Sequence, residues 1–315
     1  MTRVVVAGDL GGTHLRAALV DETGRVFARR DRPTPPAATS AQILEVIKDL
    51  FATVSGASVT RPEGACIALP GLINADEGMV ILAPNVPGFR NLALGRPIAE
   101  HLGLPVWLEN DASAAALGEH RYGAGKGTRH LLHGTLGTGI GGGIVIDGKL
   151  YRGAKGLAGE IGHVVIDPAG PRCNCGSRGC LEALVSGVAF AERARRIVAT
   201  GKSPVLQEIA GYDPPTAAQL EAAARAGDKL CEAEIRNGGH LLGLALGGLV
   251  NVLNPDVVTL SGGLLGMGEM LLGPMKEAMY SIAYGPASGT IVRVSELGED
   301  AGLLGAAAVA FERLG

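Results

Sequence analysis

His163, Cys173, Cys175 and Cys180 carry the strongest chemical signal in the sequence. Nine residues separate His163 from Cys173, one separates Cys173 from Cys175, and four separate Cys175 from Cys180. One neutral imidazole and three thiolates make a closed tetrahedral Zn²⁺ site, structural because no position stays open to substrate. The redox reading requires C-x-x-C, a spacing absent here. Gly176 and Gly179 suit a tight knuckle around a metal. Two carboxylates accompany the cluster, Glu160 three residues before His163 and Glu182 two after Cys180. Taken singly, each reads as a solvated acid. Tied to a metal knuckle, they would line one polar pocket.

A second set of residues reads as an anion cradle. Asp9-Leu10-Gly11-Gly12-Thr13 joins two strands, and backbone N–H groups of such glycines can converge on phosphate. Thr13 adds a hydroxyl and Asp9 a carboxylate for Mg²⁺, direct or through water. The pattern is neither the lysine-containing P-loop nor the dinucleotide fingerprint, both of which open a helix; the alternative is an ordinary glycine hairpin. The stretch from Gly134 to Gly143 contains six glycines in ten residues, with Thr138 and Gly139 at its centre. So many glycines cost folding entropy, and close backbone approach to a ligand explains them better than a plain turn. Ser261-Gly262-Gly263 is a weaker third candidate. Asp111 reads either as a functional carboxylate at a strand end or as the N-cap of the helix that follows.

The elements that must position these residues show in the periodicity. Strands are expected over Val4–Ala7, Leu15–Val20, Val26–Arg30, Ala65–Leu69, Val106–Glu109, Leu131–Thr135, Gly143–Ile146 and Val257–Leu260. Apolar residues Ile43, Val46, Ile47, Leu50, Phe51 and Val54 fall on one helical face, and Thr39 and Gln42 have capping-box spacing before it. Further helices are expected over Ala112–Glu119, Val188–Thr200, from Thr216 with Gln219 three residues on, from about Asp228 to Leu253, and over Leu303–Arg313. A shift of 126 residues lays Gly8 on Gly134, Leu10 on Leu136, Gly11 on Gly137 and Asp21 on Asp147. One supersecondary unit therefore occurs twice, which implies two similar domains.

Composition bounds the function. The chain has 315 residues, 47% hydrophobic and 19% charged, with net charge −3; this is a globular protein of about two domains and not a disordered one. The absence of any basic block argues against nucleic acid as a partner. Glycine, 49 residues, is about twice its usual ~7% share, and is expected at turns and where backbone meets ligand. Five cysteines, an odd number, point to a reducing compartment rather than a disulfide framework. The N-terminus has no signal-peptide core, and the apolar run Leu241–Val250 is about half the ~20 residues a membrane span requires. A cytoplasmic protein without a membrane partner is expected.

Together, Asp9–Thr13, Glu109-Asn110-Asp111, the glycine loop at 134–143, Gly159-Glu160-Ile161-Gly162-His163 and the Cys173–Glu182 segment resemble the ROK family of sugar kinases, repressors and open reading frames. Within it, the Cys-Asn-Cys-Gly and Gly-Cys-Leu-Glu stretches look most like bacterial ATP-dependent glucokinases. The resemblance implies a two-domain actin-like (ribonuclease H-like) α/β fold, commonly dimeric or larger, with ATP and a hexose in the cleft. The expected division is 1–118 for a smaller N-terminal domain, with the C-terminal helix at about 302–315 packing back on it, and 119–301 for a larger one. Carried over, Asp111 is the catalytic base, and Gly71, Asn85, Asn110, Glu160, His163 and Glu182 hold the sugar. Asp9, Gly11, Gly12, Thr13, Thr138 and Gly139 address phosphates and Mg²⁺, with Gly262 and Gly263 against the adenosine. The repressors of this family carry an N-terminal helix-turn-helix, and a first strand at Val4 leaves no room for one. An actin- or chaperone-like ATPase is disfavoured by the zinc knuckle; a kinase for mannose, fructose, allose or N-acetylmannosamine is the main alternative.

Overall fold

The computed structural model of the protein describes residues 2–35, 39–83, 86 and 88–315; Asn85 lies outside them. Strands β1 (Val4–Leu10), β2 (His14–Asp21) and β3 (Val26–Pro33) form a meander, followed by helix α1 (Ser40–Gly56) and β4 (Ala65–Leu69). Three short strands, β5 (Leu72–Asn74), β6 (Met79–Leu82) and β7 (Arg90–Ala93), make a small antiparallel sheet. Then come α2 (Gly95–Leu102), β8 (Val106–Asn110) and α3 (Asp111–Tyr122), leading to β9 (Leu131–Leu136), β10 (Ile140–Ile146) and β11 (Lys149–Leu150). Helices α4 (Leu181–Val185), α5 (Gly187–Ala199), α6 (Pro204–Ala210), α7 (Ala217–Arg225) and α8 (Lys229–Leu253) precede β12 (Val257–Ser261). The chain closes with α9 (Glu269–Ile282), β13 (Ile291–Val294) and α10 (Ala301–Leu314).

The first large sheet has the order β3-β2-β1-β4-β8 and the second β11-β10-β9-β12-β13. Adding 126 to the bounds of β1 and β2 gives 130–136 and 140–147, which is where β9 and β10 lie. The duplication seen in the sequence is thus a duplication of structure. Both expected capping boxes form, Thr39 with Gln42 on α1 and Thr216 with Gln219 on α7. At the matched hairpin ends the chemistry differs. Asp21 Oδ1 accepts from the backbone N–H groups of Thr23 and Arg25, whereas Asp147 and Gly148 both adopt positive φ, as a tight type I′ hairpin requires.

Two compact units result, one comprising Met1–His133, Gly143–Gly159 and Val294–Gly315, the other Gly134–Gly142 and Glu160–Arg293. The boundary expected at 118/119 falls inside α3, a continuous helix whose buried face packs along α10. In the first unit Ile43, Ile47, Leu50, Phe51 and Val54 of α1 bury against Val6, Leu10, Leu19 and Ile67 of the sheet. Gly8 makes room for the Phe51 ring, since a Cβ there would lie 2.3 Å from Phe51 Cζ.

Glycine serves helix packing more than the sequence reading allowed. In α8, Cβ atoms added at Gly239 and Gly243 would each lie 2.2 Å from a carbonyl of α9, Leu271 O and Met275 O respectively. These residues recur every fourth position on one face, and their lack of side chains lets two backbones touch. Gly305 of α10 does the same against Ala114 O of α3, again at 2.2 Å. Among the described residues no helix is long and apolar enough to cross a membrane; α8 is a core helix with Leu242, Leu246 and Val250 fully buried.

Candidate active site

In the first unit, strand direction gathers the predicted residues at one edge. β1 pairs parallel with β4, and β4 parallel with β8, in the registers Asp9↔Ala68 and Leu69↔Asn110. The carboxyl ends of the three strands therefore deliver Asp9 to Thr13, Gly71, and Asn110-Asp111 to the same side of the sheet, where open α/β sheets bind ligands. Asn110 Nδ2 donates to the Gly71 carbonyl at 3.0 Å, tying two of these ends together. Gly71 has φ +103°, and a Cβ there would lie 2.2 Å from Leu82 O, so the close approach of β6 requires a glycine.

Asp111 is not the N-cap. Asn110 holds that position, in extended conformation, with its side chain accepting from the Ser113 N–H at 3.0 Å. Asp111 is the first helical residue, and its Oδ1 accepts from the Ala112 N–H at 2.8 Å. Asp9 sits at the end of β1 beside the start of α10, where Gly302 leaves space for its carboxylate. Burial raises the Asp9 carboxyl above the ordinary aspartate range, against the pull of Arg16 and Arg29. Arg16 Nη1 stands 3.8 Å from Asp9 Oδ2.

The second unit holds the metal-type cluster. The ligand atoms of His163, Cys173, Cys175 and Cys180 all lie within 4.8 Å of one another. Cys173 Sγ is 3.6 Å from His163 Nδ1, and Cys175 Sγ is 3.7 Å from Cys180 Sγ. A tetrahedron with Zn–S bonds of about 2.3 Å has edges of about 3.8 Å; these two separations match it, and the one-imidazole, three-thiolate donor set fits Zn²⁺. With Nδ1 turned to the thiols, His163 Nε2 faces Glu160 Oε2 at 4.0 Å.

The knuckle also delivers Glu182. α4 begins directly after Cys180, and Glu182 Oε2 accepts from the Ile140 N–H at 2.9 Å. Gly139 is what admits it, because a Cβ there would lie 2.5 Å from Glu182 Oε2. Gly162 packs still more closely, 2.2 Å from its notional Cβ to Ile140 O. Burial raises the Glu160 carboxyl; His163 pulls it down, and Glu182 adds to the rise. Glu160 and Glu182 thus form an acidic pair beside His163 and its cluster, a recurrent feature of functional sites.

A pocket of about 540 Å³ opens in the same unit between the glycine loop, α5, α7 and the turn after β12. Thr138 and Gly263, both predicted, line it with Val188, Arg195, Thr216 and Met267, which were not. The Gly137 and Thr138 carbonyls accept from the Gly187 and Val188 N–H groups, so the start of α5 is docked on the loop. Gly262 takes φ +103° and would strike Leu136 O at 2.3 Å with any Cβ; it shapes the pocket by joining β12 to β9. The missed residues are ordinary types on helix faces, with no spacing to mark them, although the Thr216 cap placed the start of α7.

The ROK family model matches residues 5–313. The chain belongs to the ROK family. A glucokinase of Thermotoga maritima is 38% identical over 313 residues, covering 99% of this chain and 98% of that protein. Among solved structures, a ROK hexokinase from Thermus thermophilus is similar with a TM-score of 0.86 at 34% identity, covering 99% of both chains. A ROK family glucokinase from Streptomyces griseus, in complex with glucose and AMPPNP, gives 0.81 at 35% identity, covering 98% of this chain and 99% of that one. The architecture is the actin-like ROK kinase fold, with the strand–glycine loop–strand unit in each half.

Proposed function

We propose that this protein transfers the γ-phosphoryl group of ATP to glucose, giving glucose 6-phosphate and ADP. The observation that carries the reading is the Asp111 carboxylate, set at the carboxyl edge of the parallel strands while Asn110 takes over helix capping. The glucokinase relatives support glucose as acceptor, and the glucose and AMPPNP complex of the Streptomyces griseus glucokinase supports an ATP-type donor.

Asp111 accepts the proton of the sugar hydroxyl as that oxygen attacks phosphorus, a role for which a carboxylate needs only hydrogen-bond reach. Asn110, Glu160, His163 and Glu182 hold the remaining hydroxyls, and Gly71 and Asn85 are assigned to the sugar with them. The Asp9–Thr13 loop, with Thr138 and Gly139, positions the phosphates in line, and positioning is most of what phosphoryl transfer asks of a protein. Mg²⁺, when bound, neutralises the phosphate oxygens, and Asp9 is the residue suited to hold it. The adenosine occupies the pocket at Thr138 and Gly263 with Gly262 at its rim. His163, Cys173, Cys175 and Cys180 would hold Zn²⁺, which would act structurally, fixing His163 directly and Glu182 through the adjoining Cys180. The reading places the enzyme in the cytoplasm as a homodimer or higher homo-oligomer. Incubation with glucose and MgATP followed by ³¹P NMR should show a phosphomonoester at the sugar 6-position. ADP and free phosphate without that product would defeat the proposal.

A further inference from the structure

Two residues before Asp111, the Glu109 side chain is only 4% exposed, a position that an unpaired carboxylate does not tolerate. Arg152 pairs with it: Nε donates to Glu109 Oε2 at 2.7 Å. The same guanidinium reaches α10, where Nη1 donates to Glu312 Oε1 at 3.1 Å. The other oxygen of each carboxylate is engaged as well, Glu109 Oε1 by the Asn110 N–H at 3.1 Å and Glu312 Oε2 by the Leu150 N–H at 3.3 Å. The main chain of Arg152 is also committed. Its carbonyl accepts from the Ala158 N–H at 3.1 Å, closing the turn that ends two residues before Glu160.

We infer that Arg152 is a positioning residue for phosphoryl transfer: its side chain fixes the Asn110-Asp111 end of β8 through Glu109, and its carbonyl fixes the turn leading to Glu160. The inference rests on the proposed roles of Asp111 and Glu160. A buried ion pair of this kind is weak evidence for stability, since apolar replacements are often as stable; what it supplies is a defined geometry. Arginine is required because two nitrogens of one rigid fork engage two carboxylates, which the single ammonium of lysine does not reproduce.

The test compares Glu109→Gln, Arg152→Lys and the neutral pair Glu109→Gln/Arg152→Met with Asp111→Asn. Steady-state kinetics are measured for glucose and for MgATP, with folded fraction followed by circular dichroism. The inference predicts that kcat/KM for glucose falls about 10- to 100-fold, the effect of a small misplacement of reacting groups, while KM for ATP stays within about twofold because nucleotide binding is untouched. A merely structural role would lower the folded fraction and leave both KM values and the turnover of folded enzyme unchanged. The neutral pair should lose about as much as either single variant, as residues acting as one unit do. Folded variants with parental glucose kinetics would overturn the inference. Should the single variants not fold, the neutral pair decides on the same criterion. An active Asp111→Asn would remove the base reading instead; an inactive one beside normal Glu109 and Arg152 variants would remove the positioning role alone.

Discussion

Asn110 Oδ1 accepts the Ser113 amide at 3.0 Å, which leaves Asp111 inside the first turn of α3 and relieves it of capping. Asp111→Asn therefore isolates the carboxylate's charge. Turnover should fall roughly 10²–10⁴-fold, the usual contribution of a general base. Stability should fall by no more than about 1 kcal/mol, the worth of a negative charge at a helix N-terminus. Single-turnover phosphorylation beside calorimetric glucose titration checks this. Retained binding with lost turnover is expected, and turnover within a few-fold of the parent would exclude Asp111 from the mechanism.

What the sequence made legible was local. The 126-residue repeat placed β9 and β10 because each copy carries its own strand, glycine and aspartate signals. Capping chemistry located α1 and α7 for the same reason. The small sheet β5–β7 gave no such signal, since its strands have only three or four residues, too few for alternation to register. Glu109 read as a strand-end acid, and only tertiary packing shows that it is buried against Arg152. Gly139, Gly71 and Gly262 stand out in the sequence as places of close backbone approach to a ligand, and the tight contacts the structure shows there are with Glu182, Leu82 and Leu136. A sequence records that a side chain is excluded, not what excludes it.

Purified without added metal, the protein should contain about one zinc per chain, as four closed ligands imply. Cys175→Ser should abolish this. Glucose affinity should fall about 10- to 100-fold, the usual effect of disturbing the support of a site, because His163 and Glu182 are held by the knuckle; ATP affinity should change far less. Elemental analysis and calorimetry test both halves, and metal-free protein with parental glucose affinity would contradict the structural role.

Gly243→Ala tests the packing of α8 on α9. The new methyl group would lie 2.2 Å from Met275 O and 2.7 Å from Ala278 Cβ, so the helices must separate. A loss of about 1–3 kcal/mol is expected, as for other overpacked sites. Urea denaturation measures it; an unchanged midpoint would mean that the two helices yield without cost.

Asp228 caps α8. Burial pushes its carboxyl up, but hydrogen bonds from the Ser203 hydroxyl and the Cys231 and Leu230 amides outweigh this and hold it below the ordinary value of 3.8. A carboxyl depressed in the folded state stabilises fully above its unfolded pKa, and that contribution is lost as pH falls through the folded one. Asp228→Ala should therefore cost about 1 kcal/mol near neutrality, the typical worth of a cap. The difference from the parent should shrink as pH drops below 3.8. Denaturation curves from pH 7 to pH 2 would show the convergence, and a constant gap would contradict the ionised cap.

A hexose panel decides whether glucose is the acceptor and ATP the donor. With saturating MgATP, ADP release is followed for glucose, mannose, fructose, allose and N-acetylmannosamine, and each kcat/KM is determined. Glucose should give the highest value, with its 6-phosphate formed in equal amount to ADP. Efficient turnover of fructose or N-acetylmannosamine, with none of glucose, would contradict the account.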